Sequence, residues 1–129
     1  MLILAVDDDP DDRGLFLEAI NRISPSIKCI EAGDGDEAYE LLTNTMTVLP
    51  DMIFLDINMP VMDGKTCLKL LRGNDILREI PVVILSTNLT ERDIRDLSNL
   101  NADFLVKPAT FPKLVEALSA IFISGGFLR

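Results

Sequence analysis

Apolar residues gather in short runs along this chain, and between the runs they return every three or four positions instead. "LILAV" (2–6), "IKCIEA" (27–32), "DMIFLD" (51–56), "PVVILS" (81–86) and "DFLV" (103–106) are the runs. Their length and their content of Val, Ile and Leu predict strands. The stretches between them predict amphipathic helices. Leu15, Phe16, Ala19, Ile20 and Ile23 mark the inward face of the first, and Ala38, Leu41 and Leu42 that of the second. Cys67, Leu68 and Leu71 mark the third, Ile94 and Leu97 the fourth, and Leu114, Val115, Leu118, Ile121 and Phe122 the last.

Punctuation supports these boundaries. Asp9 followed by Pro10 supplies an N-cap and a first helical position. "SPS" breaks the first helix, Gly73 marks the end of the third, and Thr90 with Asp93 forms a capping-box start for the fourth. Strands alternating with helices predict an α/β domain with one parallel sheet covered on both faces. The unbroken apolar runs agree, because strands of such a sheet are buried on both sides. No repeat or linker interrupts the pattern. The expected domain is 1–123, with 124–129 a short tail that frays or docks through Phe127 and Leu128.

Composition narrows the function. A net charge of −9 over 129 residues lacks the basic footprint that nucleic acid requires. No apolar run has the length of a membrane span, and "MLILAV" is too short for a secretory leader, so a cytoplasmic protein is expected. Cys29 and Cys67 lie in apolar segments without metal-ligand spacing, as buried thiols in a reducing compartment do. The absence of histidine excludes His-based acid–base catalysis, Ser-His-Asp triads and most zinc sites.

Candidate chemistry lies where the strands end, because ligands of open α/β sheets bind outside the carboxyl ends of the strands. The first strand ends in Asp7 and Asp8, the third in Asp56, the fourth in Ser86 and Thr87, the fifth in Lys107. Each has a plain alternative: a polar turn for the aspartates, a locally satisfied hydroxyl for Ser86, a solvated surface amine for Lys107. Asp9, Asp11 and Asp12 fall in a first helical turn, where negative charge suits the helix dipole, and receive no chemical role. Two carboxylates about 4 Å apart repel by roughly 4 kcal/mol at an effective dielectric near 20. Three in one pocket raise a pKa or recruit a cation. Oxygen-only donors favour a hard ion, Mg²⁺ foremost, and that ion with a lysine and a hydroxyl suits phosphoryl transfer to an aspartate.

"VDD" ending the first strand, "DINMPVMDG" (56–64), "VVILS" and "FLVKP" together resemble the receiver domain of two-component response regulators, over essentially the whole chain. The resemblance implies a flavodoxin-like sheet in the order 2-1-3-4-5. It implies that Asp56 accepts a phosphoryl group from a histidine kinase or phosphotransfer protein. It further implies Mg²⁺ held by Asp8, Asp56 and the backbone carbonyl of Asn58, with Asp7 acting through water. Lys107 would pair with the phosphoryl oxygens, the Lys107–Pro108 peptide would be cis, Ser86 would hydrogen-bond the phosphoryl group, and Phe104 would swing inward with it. A core aromatic is the plain alternative for Phe104. The output surface would be the fourth helix, fifth strand and fifth helix, in a monomer or a phosphorylation-linked dimer.

Two positions stand out. Thr87 fills a place where the family usually has a small residue and so narrows phosphoryl access or competes with Ser86. Asn58 and Asn88 each lie two residues beyond an implied site residue. The expected function is a switch with only weak self-phosphorylation and self-dephosphorylation, not a turnover enzyme; without an output domain it acts by binding a protein or passing the phosphoryl group on. An aspartyl-phosphate phosphatase built on the Asp-x-Asp of "DDDP" is the competing class. It lacks the usual continuation of that motif and a cap over the substrate. A phosphorylation-independent adaptor is the third reading.

Overall fold

The computed structural model describes residues 1–125. Strands β1 (Leu2–Val6), β2 (Lys28–Ala32), β3 (Met52–Asp56), β4 (Val82–Ser86) and β5 (Asp103–Val106) alternate with five helices. These are α1 (Pro10–Ile23), α2 (Gly35–Glu40), α3 (Gly64–Arg72), α4 (Glu91–Asn99) and α5 (Phe111–Ser124), and a π-helical turn, Leu41–Thr45, extends α2. All pairings are parallel and the strand order is β2-β1-β3-β4-β5, as the family resemblance implies. Phe127 and Leu128, expected in a tail, lie outside the described residues.

Successive strand side chains point to opposite faces, so each central strand feeds two cores. Ile3, Ala5, Met52, Phe54, Val83 and Leu85 pack with Phe16, Ala19 and Ile20 of α1 and with Leu118 and Phe122 of α5. Leu4, Val6, Ile53, Leu55, Val82 and Ile84 pack with Ala38 of α2, Leu68 and Leu71 of α3 and Leu97 of α4. Phe54 anchors the first core, its ring 4.9 Å from that of Phe16 and 6.0 Å from that of Phe122.

The caps are where the sequence places them. The Asp9 carboxylate accepts from the amides of Asp11 and Asp12, Thr90 and Asp93 form a reciprocal capping box, and Gly73 ends α3. Asn101, with φ 57°, closes α4 in the left-handed conformation that asparagine tolerates.

Three expectations are corrected. Leu15 is 48% exposed, because α1 turns only Phe16, Ala19 and Ile20 fully inward. β5 is an edge strand, so its apolar run is not buried on both faces: Phe104 is 43% exposed and Val106 is also open. That same exposure excludes the core-aromatic alternative for Phe104. The described peptides contain no cis bond, so Lys107–Pro108 is trans. Trans is the intrinsically favoured isomer of an X–Pro bond, and from it the Lys107 side chain already reaches the β1 rim.

Candidate functional site

Hydrogen bonding carries the sheet one step beyond its strands, and this fixes the rim. The Asp7 amide donates to the Ala32 carbonyl at 3.1 Å, the Ile57 amide to Leu85 at 3.1 Å and the Lys107 amide to Ser86 at 2.7 Å. Asp7 and Asp56 thus leave the sheet on neighbouring strands at its carboxyl edge, and Lys107 leaves the same edge two strands beyond Asp56. β1 and β3 are the neighbours at which strand order reverses, the position where such sheets bind ligands.

The acids converge as the strand ends predict. Asp7, Asp8 and Asp56 each bring a carboxylate oxygen within 4.8 Å of the others. Asp7 and Asp56 are buried and Asp8 is exposed, so the trio opens to solvent on one side. Oxygen donors alone, carrying several negative charges, suit a hard divalent cation. Asn58 lies two residues beyond the end of β3, and its amide donates to Asp56 Oδ1 at 3.4 Å.

Burial pushes the Asp56 carboxyl up to about 6, and the Asp7 and Asp8 charges add to the rise against the opposing pull of Lys107 and the Asn58 amide. Burial lowers the Lys107 ammonium, yet Asp56, Asp7 and Asp12 outweigh it and hold it above its ordinary range. Lys107 Nζ donates to Asp7 Oδ2 at 3.2 Å and to Asp12 Oδ2 at 3.4 Å. It makes no ion pair with Asp56 among the described residues.

Ser86 and Thr87 part company. Leu85 packs into the α1–α5 core, so Ser86, next along β4, faces the opposite layer. The buried Ser86 hydroxyl donates to the Asn88 carbonyl at 2.7 Å and accepts from the Asn88 amide at 3.1 Å. Thr87 instead lines a cleft of about 270 Å³ with Asp7, Asp12, Phe16, Lys107 and Leu114.

Three residues of this rim escaped the sequence reading. Asp12 was set aside as a helix-dipole acid, but helical side chains lean toward the N-terminus, and from the first turn of α1 it reaches Lys107. Arg13 donates to the Asp7 carbonyl and to Glu31, clamping the β1–α1 turn; an arginine following an acidic run was its only signal. Gly64 opens α3 directly behind Asp56, signalled by the Asp63-Gly64 pair at a helix start.

Fold and rim together define a flavodoxin-like α/β domain with an acidic pocket at its topological switch point. The sequence profile of the response regulator receiver domain matches residues 3–119, and the chain belongs to that family. The transcriptional regulatory protein PrrA of Mycobacterium leprae is 38% identical over 125 residues, covering 92% of this chain. The chain spans about half the length of that relative, 48%. The phosphorylated cyanobacterial phytochrome response regulator RcpA superposes with a TM-score of 0.85 at 30% identity, covering 94% of this chain and 90% of that one. The Mn²⁺-bound form of response regulator Rcp1 superposes at 0.83 with 28% identity, covering 94% and 91%. The chain is thus a receiver domain of two-component response regulators. Among the described residues no helix is long and apolar enough to cross a membrane.

Proposed function

We propose that Asp56 is the phosphoacceptor of a signalling switch and that Asp7, Asp8, Asp56 and the Asn58 backbone carbonyl hold Mg²⁺. The observation that carries the reading is the buried Asp56 carboxylate set within 4.8 Å of Asp7 and Asp8 oxygens, with Lys107 on the same rim two strands away. A carboxylate oxygen of Asp56 attacks phosphorus in line, the phosphorus–nitrogen bond of a donor phosphohistidine breaks, and the imidazole leaves. When bound, the divalent ion offsets the charge of the acids and of the incoming phosphoryl oxygens. The Mn²⁺ of Rcp1 supports a divalent site in this family. Lys107 meets the phosphoryl oxygens from the β5 side, on this proposal.

Switching rests on Ser86 and Phe104. The Ser86 hydroxyl leaves Asn88 for the phosphoryl group, pulling the loop between β4 and α4 inward. Phe104, half-exposed in the structure, then has space to turn in, and the surface of α4, β5 and α5 changes. The phosphoryl group shifts this equilibrium only by its different contacts in the two states. The partners are a histidine kinase or phosphotransfer protein upstream and a protein target downstream.

Acetyl phosphate with Mg²⁺ tests the proposal. A phosphate-sized mass increase is expected in the wild type and none in Asp56→Asn or in the presence of a chelator. A wild-type protein that stays unmodified, or an Asp56→Asn variant modified equally, refutes it.

A further inference from the structure

We infer that Asp12 is a resting-state anchor for Lys107, a positioning residue that holds the ammonium on the α1 side and away from Asp56. This deepens the function proposed above and rests on it. Asp12 is the third residue of α1, and it alone among the acids Asp9, Asp11 and Asp12 touches Lys107. Asp9 is spent on capping the Asp11 and Asp12 amides. The Lys107 backbone is pinned through its amide to Ser86, so only the side chain can travel. Its Nζ lies between Asp7 Oδ2 at 3.2 Å and Asp12 Oδ2 at 3.4 Å and makes no ion pair with Asp56 among the described residues.

The two anchors differ in what they lose on release. Asp7 is buried, and without its partner it would be a desolvated charge. Asp12 is exposed and regains water when Lys107 departs, so it gives way first. The cleft beside Lys107, lined by both acids, leaves the amine room to swing. An anion arriving at Asp56 must therefore draw Lys107 off Asp12, and the Asp12 contact subtracts from the affinity for that anion.

Beryllofluoride with Mg²⁺, titrated by NMR, is the test. Asp12→Asn keeps shape and removes charge, and it should bind about two- to fivefold more tightly than wild type, the range of an exposed ion pair. Asp12→Glu should match wild type. Asp11→Asn removes the same charge one residue away without touching Lys107 and should also match wild type. Unchanged or weaker binding in Asp12→Asn, or equal tightening in Asp11→Asn, overturns the anchor. The Lys107 ammonium resonance gives a readout independent of beryllofluoride: it should move in Asp12→Asn and stay in Asp11→Asn. Wild-type protein that fails to bind beryllofluoride refutes the phosphoacceptor reading instead, and the ammonium resonance then decides the anchor by itself.

Discussion

Gly64 is pressed against the backbone of Asp56. A Cβ at Gly64 would overlap the Asp56 carbonyl oxygen and lie 2.7 Å from Ile57 Cα. The Gly64 amide meanwhile donates to the Ile57 carbonyl at 2.9 Å, folding the loop between β3 and α3 back on itself. The position of the Asp56 carboxylate thus depends on a side chain that is missing.

Gly64→Ala is therefore expected to destabilise the domain by about 1–3 kcal/mol, because backbone cannot yield as a flexible side chain does. Urea unfolding measures the loss. The Asp56 backbone resonances should shift more than those of β2, which lies at the far edge; equal small shifts everywhere would count against the contact.

Asp56 predicts a pH dependence of the metal-free protein. Its folded pKa, about 6, lies above the unfolded reference of 3.8, so the folded state binds this proton more tightly. The stabilising contribution is fully present below 3.8 and is lost as pH rises through 6. Asp56→Asn removes the dependence and should be more stable than wild type at pH 7 by about 2–3 kcal/mol, the difference vanishing near pH 3.5. Mg²⁺ should raise the melting temperature of the wild type and have little effect on Asp56→Asn. Denaturant curves with and without Mg²⁺ at several pH values check both.

Lys65 links α3 to α4. Its ammonium pairs with Asp93 and, at 3.0 Å, with Asp96, and Asp93 also serves the capping box of α4. The Lys65 hydrogen bond, followed by that from the Thr90 amide, holds the Asp93 carboxyl down at about 2. Carbon-detected NMR titration should find Asp93 near 2 in the wild type and closer to the ordinary 3.8 in Lys65→Met. Because the folded pKa is depressed, stability from this contact is present above 3.8 and lost as pH falls toward 2. Lys65→Met should flatten that acid limb.

Val61 has φ 67° and is 89% exposed in the loop leading to Gly64. A β-branched residue in the left-handed region costs about 1–2 kcal/mol, whereas glycine adopts it freely but loses more entropy on folding. Val61→Gly should raise stability by about 0.5–1 kcal/mol. A lower melting temperature in the variant would show that Val61 contributes contacts in this loop.

Local signals made much of the site readable. Each site residue follows an apolar run, and in a parallel sheet the ends of all runs share one edge, so Asp7, Asp8, Asp56 and Lys107 had to meet. The caps at Asp9, Thr90 and Gly73 were legible because a cap concerns only neighbours in the chain. The exposure of Leu15 and of β5 was misjudged because helical and strand periodicity says which residues share a face. It does not say how far the covering layer extends over that face.

Sequence alone thus determined the order of strands and helices, the two-faced packing of the central strands and the acids and amine at one rim. Periodicity and chain direction suffice for these. Tertiary structure decided which carboxylates the Lys107 ammonium takes, that Ser86 spends its hydroxyl on Asn88 while Thr87 lines the cleft, and that β5 lies exposed at the edge. Those outcomes depend on side-chain reach and strand pleat between segments as far apart as residues 12 and 107, and the pattern along one segment carries no information about that distance.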